Sequence, residues 1–375
     1  MGKTKKKFES FFSNPIDYTL LITILLLLSL GLIMVLSASS PTALAEGGNS
    51  YTYFIRQAIF AAIGLVAMAL ISKIDYRIYK RFYVISYIVA FLLLALVLVI
   101  GKTTNGAKRW IYIGSLSFQP SELVKILMIV FYAGLLTMDR DELPQFLKGF
   151  IKHAFWIGPI ALMLLLEPHM SATVVIAGIC LVMMVLAGCK FGHLLMLGGA
   201  IGIPALFLLI TKAAYRLQRV TTFLDPWKDK LGEGWQVIQS LYAIGSGGLF
   251  GLGLGQSKQK YLYLPEPQND FIFSVLAEEL GFVGCVFVII LFAILIWRGV
   301  LISMKAPDMF GSLMAAGITA LIGIQSIINI AVVTSSMPAT GMPLPFFSYG
   351  GTALFILLCE MGILLNISRA GNKVN

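Results

Sequence analysis

Thr19-Leu-Leu-Ile-Thr-Ile-Leu-Leu-Leu-Leu-Ser-Leu-Gly-Leu-Ile-Met-Val-Leu-Ser-Ala-Ser39 runs without one ionisable side chain. At about 1.5 Å per residue, a helix of that length spans the roughly 30 Å hydrocarbon layer of a bilayer. A signal-peptide core is only about 7–15 apolar residues, so this stretch, behind Lys3, Lys5, Lys6 and Lys7, reads as an uncleaved anchor. Comparable stretches occur at roughly 54–72, 83–100, 122–138, 147–166, 170–188, 191–211, 270–297, 309–335 and 350–368. The whole chain of 375 residues is 58% hydrophobic and 12% charged, with a mean hydropathy of +0.88. Soluble domains are about a quarter charged. The sequence therefore predicts an all-α integral membrane protein with ten transmembrane helices, and excludes soluble, secreted, fibrous and disordered classes.

The scarce charges orient the bundle. Lys and Arg favour cytoplasmic loops, most clearly in short ones, and the most basic short loop, Lys73 to Arg81, falls on the same side as the N-terminal lysines. Both termini are expected in the cytoplasm. The expected organisation is a tail over 1–18, helices 1–7 over 19–211, an extracytoplasmic loop with short interfacial helices over 212–269, helices 8–10 over 270–368, and a tail over 369–375. The net charge of +10 then records topology and calls for no nucleic acid.

Some basic residues break that bias. Lys212, Arg216, Arg219, Lys228, Lys230, Lys258 and Lys260 lie in the long outer connection, and Lys102, Lys108 and Arg109 come after the third span. Charge alone allows two readings, an anionic ligand at the outer surface or contact with lipid phosphates and nearby acids. Cys180, Cys189, Cys285 and Cys359 sit in spans as small apolar residues, and His153, His169 and His193 are scattered. A zinc, haem or iron–sulfur site is not expected from that spacing.

Ionisable residues at membrane depth are costly and mark functional candidates. Glu122 and Lys125, one turn apart, suit a mutual ion pair. Glu360 lies deep in the tenth span. Asp270 has two readings: a helix cap, since Asn269-Asp270 precedes an apolar run, or an acid at the outer interface reached by the basic loop. Glu278 lies about 12 Å further along the helix, which suits a brace between helices. The run Gly245 to Gly255 lacks the Lys-Ser/Thr ending of a phosphate loop and suits close backbone packing or a hinge. The Pro- and Gly-rich segment Ser336 to Gly351 is irregular backbone that membrane depth tolerates only where buried or lining a cavity, and is expected to wall the same cavity as Asp270. A carrier would share such features, but no inverted repeat relates the halves.

Four segments carry a resemblance: Gly106-Ala-Lys-Arg-Trp-Ile111 with Phe118-Gln-Pro-Ser-Glu-Leu-Val-Lys125; Arg216-Leu-Gln-Arg219 with Phe223-Leu-Asp-Pro226; Tyr263-Leu-Pro-Glu266 through Asn269-Asp-Phe-Ile-Phe273 to Glu278-Glu-Leu-Gly281; and Pro338 through Gly351. In these the chain resembles the shape, elongation, division and sporulation (SEDS) family of RodA, FtsW and SpoVE. Pro338-Ala-Thr-Gly341 and Leu264-Pro-Glu-Pro267 look closer to the division and sporulation branch, while Pro267, Gln268 and Thr352 depart from its usual residues.

The resemblance implies a peptidoglycan glycosyltransferase that polymerises lipid II outside the membrane, with Asp270 as the catalytic base. It implies substrate contacts from Lys108, Arg109, Arg216, Arg219, Lys258, Lys260, Glu266 and Ser348, and supporting roles for Trp110, Gln119, Glu122, Lys125, Glu278, Glu279, Pro343 and Pro345. A divalent cation (Mg or Mn) at the pyrophosphate is compatible with that chemistry, and no other cofactor is called for. The implied partners are a class B penicillin-binding protein transpeptidase and other division or sporulation membrane proteins. A lipid II flippase and a non-catalytic scaffold are the competing functions.

Overall fold

The computed structural model describes residues 15–104, 107–114, 116–202, 214–230, 232 and 234–371. Among these, nine helices are long and apolar enough to cross a membrane, and the chain is a multi-pass membrane protein. They are α1 (Tyr18–Ala45), α2 (Thr52–Ile71), α3 (Tyr83–Ile100), α4 (Pro120–Met138), α5 (Phe146–Leu166), α6 (Met170–Ala187), and later α10 (Ile272–Lys305), α11 (Met309–Val333) and α12 (Gly351–Gly371). The expected span at 191–211 opens as α7 (Phe191–Leu197) and a π turn at Gly198–Gly202; 203–213 lie outside the described residues. The connection before α10 continues with α8 (Ala214–Leu224), a 3-10 turn at Pro226–Asp229 and α9 (Trp235–Gly247).

Local chemistry explains where these helices begin and end. Asp17 caps α1 by accepting from Leu20 N at 3.0 Å, and Asp308 caps α11 by accepting from Gly311 N at 2.8 Å. Proline opens α4, where its missing N–H costs nothing. The all-α expectation needs one correction. A three-stranded antiparallel sheet, β1 (Lys102–Thr104), β2 (Ala107–Ile113) and β3 (Leu116–Phe118), fills the loop between α3 and α4.

In the bundle α10 packs along α11, α2 along α12, α3 along α4, and α1 against α10. Side-chain ties close one end. Arg298 Nε donates to Asp17 Oδ2 at 2.9 Å, Tyr76 donates to Asp308 at 2.6 Å, and Asn366 Nδ2 donates to Ser72 O at 2.9 Å.

Near the other end α10 is broken. Gly281 departs from helical geometry with φ +67, so the bonds from Phe282 N to Glu278 O and from Val283 N to Glu279 O cannot form. The glycine run replaces them. Leu252 N donates to Glu278 O (2.9 Å) and Gly253 N to Glu279 O (3.0 Å), while Phe282 N donates to Gly248 O (2.9 Å) and Val283 N to Leu249 O (3.1 Å). The approach is backbone against backbone: a Cβ on Gly251 (φ +78) would collide with Glu279 O, and one on Gly281 with Gly251 N. Gly251→Ala is expected to cost about 2–4 kcal/mol, read as a lowered thermal unfolding midpoint in detergent. Gly158→Ala, whose Cβ would meet open space within a helix, should change stability by less than about 1 kcal/mol.

Candidate functional site

The glycine run brings the chain past the broken helix, and the two glutamates at the break grip the segment beyond that run. Glu278 accepts from Lys258 N (3.0 Å), Gln259 N (3.2 Å) and the Ser257 hydroxyl. Glu279 accepts from Lys260 Nζ (2.8 Å) and from the Ser37 hydroxyl of α1 (2.6 Å). Both carboxylates are buried, so each bond replaces hydration that burial removed. Residues 257–260 are thereby pinned between α1 and α10.

From there the chain turns toward Asp270. The Glu266 carboxylate accepts from Gln268 Nε2 (3.1 Å) and Asn269 Nδ2 (2.9 Å), closing the turn. The proline-rich segment between α11 and α12 holds the main chain on the far side. Tyr349 N donates to Gln268 O (2.8 Å), the Ser348 hydroxyl donates to Asn269 O (2.6 Å), and Ser348 accepts from Leu344 N (2.8 Å). Asn329 of α11 completes the clamp by donating to both Asp270 O (2.8 Å) and Met342 O (2.7 Å).

These contacts hold the backbone of Asp270 and leave its carboxylate unused. The cap of α10 is Phe271, with no side-chain cap bond, so the capping reading of Asp270 is set aside. Among the described residues its carboxylate accepts no hydrogen bond. A Cβ on Gly341 would stand 3.2 Å from Asp270 Oδ2, so the Pro338–Gly341 turn backs directly onto it. Arg219 of α8 is fastened to that turn, Nη1 donating to Ala339 O at 2.9 Å. Burial pushes the Asp270 pKa up to about 6, against the pull of Arg219, with Glu266 raising it and Arg109 lowering it further. The arrangement leaves a carboxylate with its pKa raised toward neutrality in the field of two arginines.

The other sequence candidates divide by position. Arg109 of β2 reaches the carbonyls of Glu167 (3.5 Å) and Pro168 between α5 and α6. Lys108 is exposed on the same strand, and Trp110 is partly buried. Lys258 is exposed. Lys260 corrects the expected group of ligand-facing cations, because its ammonium is buried against Glu279 and Ser37. The Ser348 hydroxyl likewise is engaged with main chain, between Pro343 and Pro345 on one side and the Asp270 turn on the other. Glu122 and Lys125 pair at 2.7 Å within α4, and Gln119 meets His169 at 3.5 Å. The Arg216 side chain and Lys212 lie outside the described residues. Asn329 escaped the sequence reading, which weighed only ionisable groups within the spans; Gln325 and Asn329, one turn apart in an apolar span, were the available signal.

Comparison with known proteins sets this geometry among relatives. The family model described as "Cell cycle protein", covering FtsW, RodA and SpoVE, matches residues 18–373. Stage V sporulation protein E of Bacillus subtilis (strain 168) is 45% identical over 355 residues, 94% of this chain and 97% of the relative. The probable peptidoglycan glycosyltransferase FtsW of Geobacter sp. (strain M18) is 41% identical over 354 residues, 94% of this chain and 96% of the relative. A solved chain, from work on the structural coordination of polymerization and crosslinking by a peptidoglycan synthase complex, aligns with a TM-score of 0.78 at 31% identity, covering 94% of this chain and 98% of that one.

The buried Lys260–Glu279 pair yields a test of the loop's anchoring. Lys260→Met leaves an uncompensated carboxylate and should cost about 3–5 kcal/mol. Adding Glu279→Gln should recover most of that loss, so a double-mutant cycle monitored by chemical unfolding in micelles is expected to show strong coupling.

Proposed function

This chain belongs to the FtsW, RodA and SpoVE cell-cycle family, and from that premise we propose how its site works. It is a peptidoglycan glycosyltransferase, of the kind that serves cell division or sporulation, and its substrate is lipid II. The observation that carries the mechanism is the Asp270 carboxylate, fixed through its main chain yet accepting no hydrogen bond from the described residues.

Glycosyl transfer to a sugar hydroxyl needs a base within hydrogen-bond reach. Asp270 takes the proton of the acceptor GlcNAc 4-hydroxyl as its oxygen attacks the anomeric carbon of the donor. Inversion in one displacement needs no enzyme nucleophile. The leaving polyprenyl diphosphate develops negative charge, which preorganised cations stabilise; Arg109 and Arg219 supply that charge next to Asp270, with Lys108 beside Arg109 on β2 and Lys258 and Arg216 in the outer connection. Glu266 orders the turn that presents the base. A Mg or Mn ion carried with the diphosphate would add neutralisation; among the described residues no group of three metal-ligating side chains gathers.

In this reading the site lies at the outer face of the bacterial membrane, on a bundle of ten spans with cytoplasmic ends. The polyprenyl tail lies in a lipid-facing groove between spans. A class B penicillin-binding protein crosslinks the product, supported by the resemblance to a chain from a peptidoglycan synthase complex.

Purified protein given labelled lipid II should form glycan, and Asp270→Asn should slow it by roughly 100- to 10,000-fold with unchanged thermal unfolding. Wild-type rate in that variant would remove the base assignment. A base works unprotonated, so activity should be present above about pH 6 and fall as pH drops through that value. Arg219→Ala removes a charge that lowers the pKa and should move the acid limb to higher pH; Glu266→Gln should move it lower.

A further inference from the structure

Two long helices start at one place beside Asp270. α4 begins behind Gln119 and α6 behind His169, and neither cap side chain bonds its own helix. The two cap side chains meet instead, with Gln119 Nε2 3.5 Å from His169 Nε2. First-turn amides have no partner within a helix and form the positive end of its dipole; α6 offers those of Met170 and Ser171, while α4 offers Ser121 N, since Pro120 has no N–H and Glu122 N donates to Gln119 O at 3.1 Å. Arg109 adds its guanidinium over the carbonyls of Glu167 and Pro168, the residues just before His169.

Unmatched polar atoms stand at the start of both helices. His169 is only 8% exposed and Ser121, in the first turn of α4, only 1%. His169 Nδ1 and Ser121 Oγ have no hydrogen-bond partner among the described residues. Leaving such atoms unpaired is costly; a ligand rich in acceptor oxygens would satisfy the Ser121 hydroxyl, the imidazole N–H and the Gln119 amide together. The acid next in line does not oppose an anion: burial pushes Glu167 up to about 8, with Arg109 opposing, so it holds its proton at neutral pH. Burial, then Arg109 and Lys125, bring His169 down to about 3, so its contribution is a hydrogen bond. The place adjoins the base. Ser171, in the first turn of α6, donates to Thr340 O, and the next residue, Gly341, backs onto Asp270 Oδ2.

We propose that the paired N-termini of α4 and α6, with His169, Gln119, Ser121 and Arg109, bind the diphosphate of the lipid-linked donor. The proposal rests on the glycosyl-transfer reading and assigns the leaving group its seat. As the new glycosidic bond forms, the C1–O bond to the diphosphate breaks, its electron pair stays on the diphosphate oxygen, and the acceptor proton goes to Asp270.

Binding of farnesyl diphosphate to the purified full chain in micelles tests this without turnover. Wild type should bind it, and His169→Ala and Gln119→Ala should each weaken binding about tenfold with unchanged thermal unfolding. His169→Gln, which keeps a neutral donor, should restore most of the affinity. Competition by inorganic pyrophosphate supports a diphosphate site; equal competition by farnesyl monophosphate overturns that assignment. Unchanged binding in His169→Ala overturns the proposal, as does a wild type that polymerises lipid II without binding the probe. Probe binding that responds to His169 in a protein unable to make glycan would uphold the site and sink the polymerase reading.

Discussion

A helix interrupted in a protein interior leaves backbone donors and acceptors that no water can reach, each worth several kcal/mol if unpaired. In this chain the interruption is at Gly281, and the glycine run 247–253 offsets that cost by trading backbone bonds with both sides of the break. The trade requires two backbones to touch, which is why glycine stands on each. The segment that follows the glycine run inherits its position from this exchange. Glu278 and Glu279, brought to the break, hold residues 257–260, and the N-terminal part of α10 follows the Asp270 turn, which Asn329 ties to α11.

The site is built by restraining main chain and sparing side chain. Asn329 takes the carbonyl of Asp270, Ser348 that of Asn269, and Tyr349 that of Gln268. Phe271 sits at the helix cap. A carboxylate that capped the helix would have its lone pairs committed to amides and its pKa lowered; this one is desolvated instead, and held near 6 by the balance of Arg219 and Arg109 against Glu266. Polar residues that look functional by composition, Lys260 above all, are consumed in holding the frame. Such an arrangement suits a preorganised electrostatic site, where supporting groups are fixed before charge develops.

The spans were legible because a bilayer imposes one requirement, about 20 apolar residues, that local composition answers directly. The fate of a particular lysine was not. Lys258 and Lys260 differ by two positions, and only the path of the loop around Glu279 turns one to solvent and the other inward. The strands at 102–118 were missed because β1 and β3 have only 3 residues each and β2 lacks a clean apolar–polar alternation, Arg109, Ile111 and Ile113 alternating with Lys108, Trp110 and Tyr112. The glycine run announced close packing, but its partner at Gly281 lay within a stretch that reads as uninterrupted helix. Asp270 stood out by position, while the neutral Asn329 that fixes it did not.

In this view the outer carboxylate makes glycan and does not serve as part of a path for lipid across the bilayer. One preparation can decide it: the purified chain in liposomes containing labelled lipid II, with glycan length and transbilayer movement of the label monitored together. Glycan strands should form from lipid II on the face that bears Asp270, with lipid released as its diphosphate and no faster transbilayer movement than in protein-free liposomes. Lipid II that crosses the bilayer while no glycan forms would contradict it.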